Sequence, residues 1–102
     1  MTVANSAPQE NISLARGLDS YVGNTPLIAL RRITTALSAD VQVFAKAEWF
    51  NPGGSVKDRP ALNILRSALA GGLLTPGKRL LDSTSGNMGI SYATFGAVLR
   101  GI

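Results

Sequence analysis

The apolar residues of this chain change their spacing midway, and that change constrains the fold more than anything else in the sequence. Val41, Val43, Ala45, Ala47 and Trp49 alternate onto one face at period two, with Phe44 on the other. This predicts a strand covered at least partly on both sides. From Pro60 the period becomes helical: Ala61, Leu62, Ile64, Leu65, Ala68 and Leu69 form a stripe that Gly71-Gly72 ends. The cycle then repeats, with Arg79-Leu80-Leu81 as a short strand and Ile90, Ala93, Ala97 and Val98 as a second helical stripe. Helices are therefore expected over 60–70 and 89–100. Strand, loop, helix, strand, loop, helix argues for an α/β fold with a parallel sheet. Such a sheet needs cover on both faces, so a chain with two such units is expected to leave apolar surface bare.

Upstream, Tyr21-Val22-Gly23-Asn24-Thr25-Pro26 is a turn cluster leading into Leu27–Leu30. Residues 1–20 are expected to form an arm, polar at first and then either a short helix or an extended tail. Residues 21–102 form the domain. A length of 102 residues suits one small domain, and 45% apolar with 16% charged residues suits a globular one.

The composition excludes several chemistries. There is no Cys and no His, which removes disulfides, Cys/His zinc sites and every Ser-His or Cys-His dyad. Catalysis must then run on lysine, carboxylates, hydroxyls or a cofactor. The net charge of +4 is spread over single residues and the pairs Arg31-Arg32 and Lys78-Arg79. Without a basic stripe interleaved with aromatics, no nucleic-acid partner is expected. There is no apolar run of membrane-spanning length, and residues 1–16 lack the apolar core of a signal peptide. No membrane partner is expected, and the expected location is the cytoplasm.

Two loops carry chemistry. Asn51-Pro52-Gly53-Gly54-Ser55-Val56-Lys57-Asp58-Arg59-Pro60 joins the first strand to the first helix. Its Pro and Gly residues impose an irregular backbone, and Pro60 is tolerated in a first helical turn. Lys57 would sit at the positive end of the helix dipole, which disfavours an ammonium group and suits a Schiff-base nucleophile. In Ser83-Thr84-Ser85-Gly86-Asn87, Thr84, Ser85 and Asn87 offer two hydroxyls and an amide, and Gly86 admits a ligand to the backbone. That loop opens a helix, where a carboxylate or phosphate is the natural guest. Taken singly, a lysine is most often solvated and a Ser/Thr loop most often a helix cap. Both loops fall at strand C-termini, where open α/β sheets place ligands. Neither nucleotide fingerprint is present, since Val56 precedes Lys57 and no G-x-G-x-x-G follows a strand.

Four segments taken in order are more specific. Gly23-Asn24-Thr25-Pro26-Leu27, Ala45-Lys46-Ala47-Glu48, Asn51 through Arg59, and Thr84-Ser85-Gly86-Asn87-Met88-Gly89-Ile90 closely resemble the cysteine synthase and cystathionine β-synthase family. The resemblance covers about residues 20–102, the opening third or so of such a protein. It implies part of the three-layer αβα domain of fold type II pyridoxal-phosphate enzymes, with pyridoxal 5'-phosphate as cofactor. Lys57 matches the lysine that binds the cofactor as a Schiff base and later takes the substrate Cα proton. Asn87 matches the asparagine that contacts the cofactor's ring oxygen. Thr84, Ser85, Gly86, Asn87 and Met88 match the loop that receives the substrate α-carboxylate.

The implied reaction is β-replacement on an activated serine to give cysteine, with cystathionine β-synthase or a related lyase as the alternative. The implied assembly is a homodimer of full-length subunits. The sequence departs from the family at Met88, where Thr is usual, and at Asp82-Ser83, where Glu-Pro is usual. The family's Gly-rich phosphate loop lies beyond Ile102, so the isolated chain is expected to be inactive. A non-catalytic relic or partner-binding module is the rival reading.

Overall fold

Gly23 and Asn24 both take positive φ, 85° and 50°, and turn the chain into the first strand. That conformation is natural for glycine and tolerated by asparagine. The structure, a computed structural model, describes residues 16–99. Strand β1 (Leu27–Ala29) pairs antiparallel with β2 (Phe44–Lys46), with Ile28 opposite Ala45. The pairing is extended at its ends by Leu30 N–H to the Val43 carbonyl and Ala47 N–H to the Pro26 carbonyl, each 2.9 Å.

The α/β class stands, but the sheet differs from the expected one. Among the described residues it has two antiparallel strands, and Arg79–Leu81 forms no ladder. A strand exists only where a neighbour accepts and donates its backbone hydrogen bonds, and no described segment makes such bonds with 79–81. The alternation from Val41 to Trp49 also shortens to three residues. At Ala47 the backbone leaves the strand (φ −81°, ψ 69°) and Glu48–Phe50 form a 3-10 turn. Trp49 is therefore exposed, its ring tilted 38° to that of Phe50 with centroids 5.9 Å apart.

Helix α1 (Asp58–Ala70) begins two residues before the expected start, so Pro60 falls within its first turn. It closes as expected at the glycine pair. Gly72 takes φ 72°, Leu73 N–H bonds to the Ala68 carbonyl and Gly72 N–H to the Leu69 carbonyl, the paired bonds of a Schellman motif. Helix α2 (Asn87–Val98) packs across α1, and the 3-10 turn Leu18–Tyr21 packs on α2. The core between the helices is Leu62, Leu65 and Phe95, flanked by Val22, Leu74, Leu80, Tyr92 and Leu99.

The stripe on α2 is corrected by the structure. Ile90, Ala93 and Ala97 face outward, and Ser91, Phe95 and Gly96 are the buried positions. A helix apolar on nearly every side has no unique stripe, so its rotation is set by what it meets. Here the bulk of Phe95 and a hydrogen bond from Ser91 choose the inner face. The expected bare apolar surface is present: Leu81, Ile33 and Leu73 are 95%, 81% and 70% exposed. No described helix is long and apolar enough to cross a membrane. The expected arm over 1–20 lies outside the described residues up to position 15. Its described end is docked through Asp19, whose carboxylate accepts from Arg66 at 2.8 Å.

Candidate functional site

Asn51 builds the first loop. It is 3% exposed, and its carbonyl Oδ1 accepts the Gly23 N–H at 2.8 Å. Its Nδ2 donates to the carbonyls of Glu48 at 2.8 Å and Ser55 at 3.0 Å. One amide thus ties the 23–26 turn to both limbs of the lysine loop, leaving no buried donor idle. Gly54 supplies the reversal at φ 86°. Ser55 Oγ accepts the Lys57 N–H at 3.2 Å, and Lys57 stands at the cap position of α1 with its side chain exposed.

A charged cluster braces the same loop from outside. Arg59 Nε donates to Glu48 Oε1, Arg59 NH2 reaches Glu48 Oε2 at 3.1 Å, and the Thr25 hydroxyl donates to Glu48 Oε2. Lys46 Nζ is spent on the Thr25 carbonyl. The Arg59 guanidinium, with help from Thr25, holds the Glu48 carboxyl down at about 2 from the usual 4.5. A depressed carboxyl stabilises the fold above its unfolded value and loses that contribution as pH falls through the folded one. The melting temperature is therefore expected to drop between pH 4.5 and about 2. Glu48→Gln should flatten that drop; an unchanged pH slope in the variant would contradict the assignment.

The second loop is shaped by Thr84. Its Oγ1 accepts the N–H groups of Gly86 at 3.2 Å and Gly89 at 3.0 Å, capping α2 from two residues before the Gly86 cap position. A Cβ at Gly89 would lie 2.7 Å from Thr84 Cγ2, so glycine is needed for this approach. Because Thr84 Oγ1 accepts twice inside the loop, its O–H remains free to donate outward. Among the described residues the N–H groups of Ser85, Asn87 and Met88 have no partner. They are the open donors of a helix start.

The two loops meet. An open cavity of about 360 Å³ is lined by Lys57, Ser83, Thr84, Ser85, Gly86, Asn87 and Met88. Every residue singled out in the two loops is therefore brought to one place. Ser83 joins them, and its position in the same polar run was the signal for it. Asp58 and Ser91, which connect the loops from below, were not legible, because period analysis assigns charged and hydroxyl residues to solvent. A separate cavity of about 410 Å³ against β1, β2 and the 31–42 connection has Arg31 as the only charged residue among its described lining residues. No cluster of His, Cys, Asp or Glu among the described residues could hold a metal.

A primary amine and an unsatisfied helix N-terminus lining one cavity on an α/β scaffold are the groups that a carbonyl cofactor and an anion would require. Residues 18–102 match the pyridoxal-phosphate dependent enzyme family, and the chain belongs to that family. It is 52% identical over 79 residues to the cysteine synthase of Aquifex aeolicus, covering 76% of this chain and 24% of that protein. It is 49% identical over 78 residues to the cystathionine β-synthase of Saccharomyces cerevisiae, covering 76% and 15%. The crystal structure of cysteine synthase from Entamoeba histolytica superposes with a TM-score of 0.80 at 36% identity, over 97% of this chain and 29% of that one. The fold is thus part of the fold type II pyridoxal-phosphate enzyme domain, and the family's cofactor is pyridoxal phosphate. The chain spans about a quarter of the length of the cysteine synthase it matches.

The residues present fit that cofactor. Its aldehyde needs an amine, which Lys57 brings to the cavity, and the open N–H groups of the α2 start could hold an anion there.

Proposed function

We propose that this chain forms one wall of the active site of an enzyme catalysing β-replacement on an activated serine to give cysteine, with Lys57 as its catalytic residue. The observation that carries this is the shared cavity of Lys57 and the Thr84–Met88 loop. The likeness to cysteine synthases supports it. Cystathionine β-synthase chemistry is the second reading, favoured by the likeness to the yeast enzyme.

When bound, the cofactor supplies an electron sink for the pair left on Cα. This chain supplies the rest. Lys57 Nζ would hold the cofactor and, once the substrate amine has displaced it as a free amine, would take the Cα proton. The open N–H groups of Ser85, Asn87 and Met88, with the Thr84 and Ser85 hydroxyls, receive the substrate carboxylate. Gly86 leaves the backbone accessible, with nothing within 4 Å of where its Cβ would stand. The Asn87 amide orients the cofactor ring. Residues 21–102 are the opening part of the catalytic domain behind an arm of residues 1–20. In the full-length family context the enzyme is a cytoplasmic homodimer.

The test joins this chain in frame to the remaining length of the Aquifex aeolicus cysteine synthase. Cysteine formation from O-acetylserine and sulfide is expected; a folded, cofactor-loaded fusion without it would retire the reaction. Met88 offers a finer test. Its thioether donates nothing, and a hydrogen bond to a charged group is worth about 1.5–3 kcal/mol. In an open cavity water competes for the new hydroxyl, so a gain of about 1.4 kcal/mol at most is expected: Met88→Thr should tighten amino-acid binding by up to about tenfold without changing cofactor affinity. No gain, with weaker binding of an apolar substrate, would show that Met88 selects for that substrate instead.

A further inference from the structure

Asp58 follows Lys57, and its carboxylate is fully buried. It turns back across the loop, where Oδ2 accepts the Gly53 N–H at 2.5 Å. Oδ1 accepts the Ser91 hydroxyl at 2.6 Å. A Cβ at position 53 would lie 2.2 Å from Oδ1, so this approach requires glycine. Ser91 lies one turn into α2, with the Asn87 carbonyl 3.0 Å from its Oγ. A single carboxylate therefore grips both elements that line the cavity: the loop just before Lys57 and the helix whose first turn carries Asn87.

Burying a carboxylate is a poor way to stabilise a fold, since a well-packed apolar side chain usually does as well or better. The apolar contacts of Leu62, Leu65 and Phe95 already hold α1 against α2. Such contacts are non-directional, whereas hydrogen bonds to a charged acceptor are short and geometrically demanding. We propose that Asp58 and Ser91 form a latch that positions Lys57 against the N-terminus of α2, Asp58 being a positioning residue rather than a catalytic one. This rests on the reading of Lys57 as the cofactor-binding amine. The latch carries the register between amine and anion site across the gap from one element to the other, and Gly53 is part of it.

The test uses the full 102-residue chain. Pyridoxal phosphate is added, attachment is trapped by borohydride, and labelling at Lys46, Lys57 and Lys78 is mapped by mass spectrometry. Exchange of the Gly53 amide hydrogen is followed separately by NMR without cofactor. In the wild-type chain Lys57 should label preferentially. Ser91→Ala should reduce Lys57 labelling at least about fivefold and speed Gly53 exchange, while Lys46 and Lys78 label as before. Thr94→Ala removes a hydroxyl from the same helix that bonds only to the Ile90 carbonyl at 2.8 Å. It should change neither readout. Asp58→Asn, which can still accept from Gly53 and donate to Ser91, should retain most of the wild-type Lys57 labelling, and a loss as large as that in Ser91→Ala would overturn a latch made by hydrogen-bond geometry.

Unchanged Lys57 labelling or unchanged Gly53 exchange in a folded Ser91→Ala chain overturns the latch. Equal labelling of the three lysines in the wild-type chain overturns the reading of Lys57 instead, with Gly53 exchange still reporting on the latch. Should Ser91→Ala fail to fold, Ser91→Cys, a weaker donor of similar size, decides by the same ratios.

Discussion

Replacing Lys57 with alanine is expected to abolish the visible absorbance of lysine-bound cofactor in the fusion to the Aquifex aeolicus remainder, while Lys46→Ala and Lys78→Ala keep it. Among the described residues Lys57 is the only amine lining the cavity. Lys46 is the nearest competitor in sequence, but its Nζ is engaged by the Thr25 carbonyl, behind the loop. Lys78 lies exposed in the turn after Thr75. Arginine, always protonated, cannot replace the amine. Loss should therefore be complete rather than graded. Absorbance retained by Lys57→Ala, or lost only in Lys46→Ala, would move the attachment point and with it the proposed function.

The second large effect concerns stability. Phe95 is fully buried and is the largest side chain of a core that otherwise contains Leu62 and Leu65. Truncating a buried phenylalanine costs about 3–5 kcal/mol in lost transfer energy and cavity formation. Small domains have about 5–15 kcal/mol in total. This one buries few apolar side chains and leaves many exposed. Phe95→Ala should therefore remove the cooperative thermal melt and raise the binding of an apolar-surface dye. Ile90→Ala, five positions earlier on the same helix at a site 52% exposed, should change stability by no more than about 0.5 kcal/mol. A cooperative Phe95→Ala melt near the wild-type temperature would show that the α1–α2 contact is not the core. A large effect of Ile90→Ala would turn the helix over.

Local chemistry was legible because it needs no partner. The glycine pair after Ala70 ends a helix by its own φ freedom, and Gly71-Gly72 does so here. Lys57 and the Thr84–Asn87 run were singled out by residue type and position and Met88 by the family resemblance, and all of them line one cavity. Three things depended on partners distant in sequence. The direction of the sheet was decided by which segment lies beside β2, and that is Leu27–Ala29 in antiparallel register. The rotation of α2 was decided by Phe95 and by a hydroxyl that finds a carboxylate 33 positions away. Asp58, which period analysis sends to solvent, is the most enclosed charge in the described chain. Residue type and spacing determined what each segment can do alone; only packing decided which faces meet, because burial and hydrogen bonding are properties of pairs.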